Sequence, residues 1–80
     1  MIDQIEDKKF VLCIENKGYE VSLEQWKVYQ CLPDEEAENH HEIRVIDEEG
    51  EDYIYPADFF STIFLEASVA KRFILQYENK

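Results

Sequence analysis

The chain has 80 residues, of which 45% are hydrophobic and 14% aromatic, and this composition predicts one globular domain over residues 1–80 rather than a disordered chain. Nineteen acidic residues against eight basic ones give a net charge of −11, so direct binding to nucleic acid or to an anionic membrane surface is not expected. The same charge favours a positively charged protein partner.

The N-terminal segment and the cysteines indicate the compartment. Residues 1–9 carry charges but no apolar signal region, and no apolar run reaches the roughly 20 residues that a transmembrane helix requires. The two cysteines, Cys13 and Cys31, do not amount to a disulfide framework. We therefore expect a cytoplasmic protein with reduced thiols, in which residues 1–8 form a polar lead-in to the fold.

The first half of the chain predicts two strands joined by a long loop. Residues 9–15 are a β-prone run with apolar side chains on both faces, and the turn signal Asn16-Lys17-Gly18 follows them. Residues 18–25 show no clean period and are predicted to form a partly extended loop. Residues 27–32 are the second predicted strand, which Pro33 ends because proline cannot donate to a sheet ladder.

Two acidic connections follow, and each holds five of the nineteen acids. Residues 34–42 are hydrophilic apart from Ala37 and are predicted to form a solvated loop, in which one helical turn can start at Asp34. The second connection surrounds Gly50, and glycine allows the positive φ that tight hairpin turns require. Residues 43–47 and 53–55 are therefore predicted to pair as a hairpin.

The C-terminal third predicts a tight turn, a last strand and a helix. Pro56 begins a 3₁₀ turn over residues 56–60, and residues 62–65 are the fifth predicted strand. From Glu66 the apolar spacing becomes that of one helix face, which predicts a helix over residues 66–77. The apolar positions of that face are Ala70, Phe73, Ile74 and Tyr77. We expect this face to pack on the protein's own strands, with a partner helix as the alternative.

Five short strands, with one helical turn before the last, predict an all-β fold with a C-terminal helix. The motifs that specify it further are Cys13-Ile14-Glu15-Asn16, Lys27-Val28-Tyr29, Val45-Ile46-Asp47-Glu48-Glu49-Gly50-Glu51 and Tyr55-Pro56-Ala57. In these motifs the chain resembles a group of small bacterial and phage proteins with a five-stranded Src-homology-3-like barrel. The resemblance covers about two-thirds of the chain and implies the fold, but it implies little about activity. The Ala-Leu-Tyr-Asp-Tyr segment and the Trp-Trp pair of eukaryotic peptide-binding members are missing, so recognition of proline-rich peptides is not implied.

Five aromatic residues are candidates for a binding groove, because aromatic side chains are enriched at binding hot spots. They are Trp26, Tyr29, Tyr53, Tyr55 and Phe59. Trp26 is the most suggestive of them, since its polar and charged neighbours indicate an exposed connection. The alternative is that the aromatic residues of so small a domain fill its core.

The sequence shows no recognisable catalytic or metal site, and no cofactor or enzymatic activity is expected. His40 and His41 come nearest to a metal cluster, but adjacent histidines on an extended chain point apart. The acids around Gly50 lack the ligand spacing of a calcium loop. Cys13 and Cys31 have no base beside them in the sequence and are predicted to be buried structural thiols.

The leading functional prediction is a non-catalytic, acidic protein-interaction module of the cytoplasm. One alternative is an acidic mimic of nucleic acid that inhibits a DNA- or RNA-binding protein, although the concentration of acids in two connections weighs against it. A second alternative is a metal-binding or enzymatic role for the loop that contains His40 and His41. The sequence leaves the partner's identity and the oligomeric state open.

Overall fold

A computed structural model describes residues 9–78, with the backbone but not the side chains of residues 77 and 78. The predicted lead-in at residues 1–8 and the predicted packing of Tyr77 lie outside the described part of the chain. The elements in order are β1 (Lys9–Cys13), β2 (Val28–Leu32), α1 (Glu35–Asn39), β3 (Glu42–Ile46), β4 (Asp52–Pro56), a 3₁₀ turn (Ala57–Phe59), β5 (Phe60–Ile63) and α2 (Ala67–Glu78).

The five strands form one sheet in the order β4-β3-β2-β1-β5, and every neighbouring pair is antiparallel. The predictions of a mostly-β fold, of a 3₁₀ turn before the last strand and of a C-terminal helix are confirmed. β4 and β5 are the two edges of the sheet, so the sheet is open. The hydrogen-bonded closure that a barrel requires is not found among residues 9–78.

One face of the sheet carries the hydrophobic core. Side chains alternate along each strand, so Val11 and Cys13 of β1 lie on the same face as Tyr29 and Cys31 of β2. The buried cluster on this face consists of Val11, Cys13, Leu23, Tyr29, Cys31, Val45, Tyr55 and Phe60. We call it the core face; Leu23 reaches it from the loop between β1 and β2.

The opposite face is covered in part by α2. Phe10 points to this side, and its ring meets that of Phe73 edge to face with 5.3 Å between ring centroids. Ala70, one turn earlier on the helix, is buried. These contacts confirm that the predicted apolar face of α2 packs on the protein's own sheet.

The first acidic connection contains the helical turn predicted to start at Asp34, and its contacts order it more than a solvated loop. Asp34 caps α1 by accepting a hydrogen bond from the Ala37 N–H at 3.0 Å, and Ala37 is buried. Arg44 donates to Asp34 through Nε at 2.8 Å and to Asp52 through Nη1 at 2.9 Å. The Ala37 N–H and the Arg44 guanidinium lower the pKa of Asp34. This arginine therefore ties α1 to the β3–β4 hairpin.

Neither helix within residues 9–78 combines the length and the apolar character that crossing a membrane demands.

Candidate protein-interaction surface

The antiparallel pairing collects the longest loop and the acidic hairpin turn at one end of the sheet. β1 and β3 end there, while β2 and β4 begin there, so the β1–β2 loop (residues 14–27) lies beside the β3–β4 turn (residues 47–51). β5 also begins at this end, because Phe60 pairs with Cys13. We call this region the loop end.

The Tyr29 hydroxyl links the β1–β2 loop to the β3–β4 turn. Its side chain is buried, and its hydroxyl donates to Glu48 Oε2 at 2.5 Å and accepts from the Glu24 N–H at 2.7 Å. Lys27 Nζ lies 2.6 Å from the same Glu48 oxygen, and the Glu48 N–H donates to the Ser22 carbonyl at 3.0 Å. Burial, reinforced by the Glu48 carboxylate, raises the pKa of Tyr29. The loop and the turn are therefore held in one arrangement.

Tyr55 forms a second connection of the same kind. Its hydroxyl donates to Asp47 Oδ2 at 2.9 Å and lies 2.9 Å from Ser22 Oγ. Asp47 is buried, and its other oxygen accepts from the N–H groups of Glu49 at 2.9 Å and Glu51 at 3.4 Å. Burial, with the Asp47 carboxylate as a further cause, raises the pKa of Tyr55 to about 12. A buried carboxylate with these partners orders the turn rather than straining it.

Four aromatic rings lie near the loop end, and each contacts the next edge to face. Tyr53 lies 5.4 Å from Tyr55, Tyr55 lies 5.1 Å from Tyr19, and Tyr19 lies 5.8 Å from Phe59, between ring centroids. We call these residues the aromatic row. Tyr53 is 59% exposed, Tyr19 and Phe59 are half-buried, and Tyr55 lies beneath them. The row therefore forms a mainly aromatic surface that packs on the buried Tyr55.

Trp26 is the most exposed aromatic side chain of the β1–β2 loop, at 66%. Its φ is +71°, in the left-handed region that disfavours bulky side chains. The turn is held because the Trp26 N–H donates to the Cys13 carbonyl at 2.6 Å and Gln25 Nε2 donates to the Ile14 carbonyl at 2.8 Å. No ring contact among residues 9–78 joins Trp26 to the aromatic row.

The predicted five-residue groove needs correction. Tyr29 and Tyr55 lie on the core face and are buried there, whereas Tyr53, two residues before Tyr55 and on the same face of β4, is exposed near the start of the strand. Trp26 and Tyr53 are exposed, and Phe59 is half-buried against the core.

Sequence reasoning missed Tyr19, which stands at the centre of the aromatic row. It lies four residues before the buried Leu23, whose N–H donates to the Tyr19 carbonyl at 2.8 Å. That spacing is one turn of helix, and it was the available signal in a loop that otherwise shows no period.

Exposed carboxylates surround these aromatic side chains. Those of the β1–β2 loop and of the segment 47–52 are Glu15, Glu20, Glu24, Glu48, Glu49, Glu51 and Asp52. The same segments contain only two basic residues, Lys17 and Lys27, and Lys27 is paired with Glu48. Asp52 is paired with Arg44 of β3, which leaves most of the other carboxylates in excess. The loop end is therefore strongly electronegative.

The other candidate residues from the sequence lie elsewhere or offer little chemistry. His41 Nε2 lies 3.0 Å from Asp58 Oδ1, and both side chains are largely exposed. Residues 9–78 contain no group of three or more His, Cys, Asp or Glu side chains arranged to hold a metal ion. Cys13 and Cys31 are free and buried, as predicted, and burial raises the pKa of both thiols. A raised pKa makes a poor nucleophile at neutral pH.

The loop end thus combines exposed aromatic side chains with an excess of carboxylates. The buried Tyr29 and Tyr55 hold its loop and its turn in place. Comparison of the chain with protein-family models, with curated proteins and with solved structures found no match in any of the three.

Proposed function

We propose that this protein is a non-catalytic interaction module that binds a cationic segment of another protein at its loop end. The observation that carries the proposal is the position of the exposed Trp26 and Tyr53 among carboxylates, on a base held by Tyr29 and Tyr55.

Each part of this surface has a physical role in such binding. The faces of Trp26 and Tyr53 attract arginine or lysine side chains, and a cation over an aromatic ring gains about 0.5–2 kcal/mol. The surrounding carboxylates accelerate the encounter with a positively charged chain and discriminate against acidic ones. The hydroxyl bonds of Tyr29 and Tyr55 fix the loop and the turn in advance, so little ordering is required when a partner binds.

We also propose that the fold is a Src-homology-3-like barrel and that the protein works in the cytoplasm. The strand order β4-β3-β2-β1-β5 and the 3₁₀ turn between β4 and β5 support the fold proposal, together with the motifs of the resemblance. The two free, buried cysteines support a reducing compartment.

A mimic of nucleic acid accounts for the structure less well. A mimic needs carboxylates along one continuous face, at spacings like those of phosphates. Here α1, with Glu35, Glu36 and Glu38, follows β2 and precedes β3, so it lies at the end of the sheet opposite the β3–β4 turn. The two acidic connections therefore point away from each other.

A peptide titration tests the proposed chemistry. An extended peptide with four arginines spaced by glycine and serine is expected to bind the wild-type protein, and its glutamate counterpart is not. The double variant Trp26→Gly/Tyr53→Ser should weaken arginine-peptide binding by roughly tenfold or more, because each lost aromatic anchor costs about 1 kcal/mol or more. Glycine is chosen because it accepts the φ of +71° without strain, so the change at Trp26 does not strain the loop. Because Tyr53 contacts Tyr55, far-UV circular dichroism of the double variant shows that it is folded before its affinity is compared.

The matched control is Leu75→Ser, which removes an exposed apolar side chain from α2 and, like the double variant, leaves the net charge unchanged. Equal affinity of the wild type and the double variant would show that charge alone holds the peptide. That result would remove the aromatic surface from the proposal. A second experiment immobilises the protein on a column and passes a cell lysate over it. The wild type should retain basic proteins, and the double variant should lose them. A wild-type column that retains no protein would contradict the existence of a protein partner.

A further inference from the structure

β5 is an edge strand with a composition unlike that of the rest of this acidic chain. Residues 59–65, Phe-Phe-Ser-Thr-Ile-Phe-Leu, are the longest uncharged run in the sequence and lie between Asp58 and Glu66. The other edge strand, β4, carries Asp52 and Pro56, which are residue types that protect an edge from pairing. β5 is therefore the edge at which another strand can approach without bringing carboxylates together.

The register of β5 on β1 shows which backbone groups face outward. The Ile14 N–H donates to the Phe59 carbonyl at 2.8 Å, and these residues are in register with the β1–β5 pairs. Hydrogen-bonded pairs recur at every second residue of an antiparallel ladder, so Ser61 and Ile63 also face β1. The backbone of Thr62 consequently faces away from β1.

Among residues 9–78, β5 pairs with β1 alone, and its outward backbone groups are almost all without a backbone partner. The Phe60 N–H is used by the 3₁₀ turn, where it donates to the Ala57 carbonyl. Within residues 9–78, no backbone hydrogen bond occupies the N–H or C=O of Thr62, the C=O of Phe60 or the N–H of Phe64. These groups alternate donor and acceptor along the edge, as strand addition requires.

A protruding ring and a cavity occur side by side at this edge. Phe64, the residue after β5, is 87% exposed. A cavity of about 200 Å³ opens on the core face, with exposed Lys9 and Glu38 in its wall. The remaining lining residues are Val11, Cys31, Ile43, Ala57, Phe60 and Thr62. A second copy that pairs with β5 brings its own Phe64 ring and its own cavity to this edge, so each ring can meet the cavity of the other copy.

We propose that two copies of this chain pair through β5, antiparallel, with Thr62 opposite Thr62 of the second copy. In this register the two Thr62 residues exchange a pair of hydrogen bonds, and each Phe64 N–H donates to the Phe60 carbonyl of the other copy. Residues 60, 62 and 64 share the core face, so each Phe64 ring meets the cavity of the other copy. The contact is isologous and closes as a two-fold dimer with one continuous sheet.

The charge of the chain sets the expected strength and its salt dependence. Each copy carries −11, so long-range repulsion opposes association. Added salt shortens the screening length from about 30 Å at 0.01 M to about 10 Å at 0.1 M, and it should strengthen the dimer. A contact of one short strand pair and two rings belongs to the small interfaces of less than about 1,200 Å², for which weak and reversible association is expected.

Sedimentation equilibrium of the full chain, from about 10 µM to about 1 mM at low and high salt, tests the proposal. The wild type is expected to form dimers increasingly with concentration and with salt. Phe64→Ser should raise the dissociation constant by roughly tenfold or more, since it removes two ring burials per dimer. Thr62→Pro should abolish the dimer because proline lacks the N–H at the centre of the pair.

The control variant is Val21→Ser, which removes another almost fully exposed apolar side chain from a loop that the dimer does not use, and it should associate like the wild type. A wild type that remains monomeric at the highest concentration and salt overturns the proposal. So does a dimer that Phe64→Ser leaves unchanged. Far-UV circular dichroism shows whether Thr62→Pro remains folded; if it does not, Phe64→Ser alone decides the question.

Discussion

Two tyrosine hydroxyls determine the shape of the loop end. Tyr29 and Tyr55 have their rings in the core, yet each hydroxyl reaches an acid of the hairpin turn, Glu48 and Asp47 respectively. A neutral hydroxyl is the form that can donate to a carboxylate, so burial and hydrogen bonding both favour the protonated tyrosine. The arrangement therefore depends on pH at the alkaline end of the scale.

The stability of the protein is expected to fall above pH 10. The pKa of Tyr55 rises from 10.0 to about 12 on folding, and that of Tyr29 is raised as well. A raised folded-state pKa gives stability that is complete below the unfolded value and is lost as the pH passes through the folded one. Each such tyrosine should lower the free energy of unfolding by about 1.4 kcal/mol per pH unit in that window. Urea denaturation at a series of alkaline pH values measures the slope.

Substitution identifies the source of that slope. Tyr55→Phe should make the decline clearly shallower, whereas Tyr53→Phe, at an exposed ring, should leave it unchanged. If Tyr55→Phe declined as steeply as the wild type, the alkaline loss would have another origin. These hydroxyl contacts could not be predicted from the sequence, because Tyr29 and Glu48 are 19 residues apart and no local pattern pairs them.

At the scale of elements, local patterns sufficed wherever one short segment specifies its own structure. Gly50 has a φ of +80°, as the predicted hairpin turn requires, and the helical spacing from Glu66 predicts α2 correctly. β5 begins at Phe60, two residues before the predicted start, because the Phe60 N–H closes the 3₁₀ turn while its neighbours already pair with β1. The start of β5 is therefore set by its pairing with β1. A pattern within one short segment carries no information about such a distant partner.

The contact between α2 and β1 should contribute measurably to stability. Phe73→Ala removes the half-buried ring that meets Phe10, and we expect a loss of about 2 kcal/mol, less than for a fully buried phenylalanine. Urea denaturation followed by far-UV circular dichroism measures the loss. Leu75→Ala, on the exposed side of the same helix, should change the free energy of unfolding by less than about 0.5 kcal/mol. Equal effects of the two substitutions would mean that α2 does not depend on this contact.

At the scale of the whole molecule, the two ends of the sheet have different roles. The loop end gathers Trp26 and the aromatic row among carboxylates, while the ion pair between Arg44 and Asp34, the cap of α1, stabilises the other end. The fold class followed from the sequence because apolar alternation and turn residues are local. The division of the aromatic residues between core and surface did not follow. Tyr53 and Tyr55 share one face of β4, yet only Tyr55 is buried, where Tyr19 and Ser22 of the β1–β2 loop contact it. No local pattern contains that contact.

The left-handed, exposed Trp26 has a spectroscopic consequence. It is the only tryptophan of the chain, so all indole fluorescence comes from the loop end. Since 66% of the side chain is in water when the protein is folded, its emission maximum should hardly move on unfolding in urea, even while circular dichroism reports the loss of the sheet. Occupation of the loop end by a cationic peptide should instead shift the emission to shorter wavelength. A large shift on unfolding alone would show that the indole is shielded in the native state. Trp26 is thus expected to report the proposed binding while responding little to unfolding.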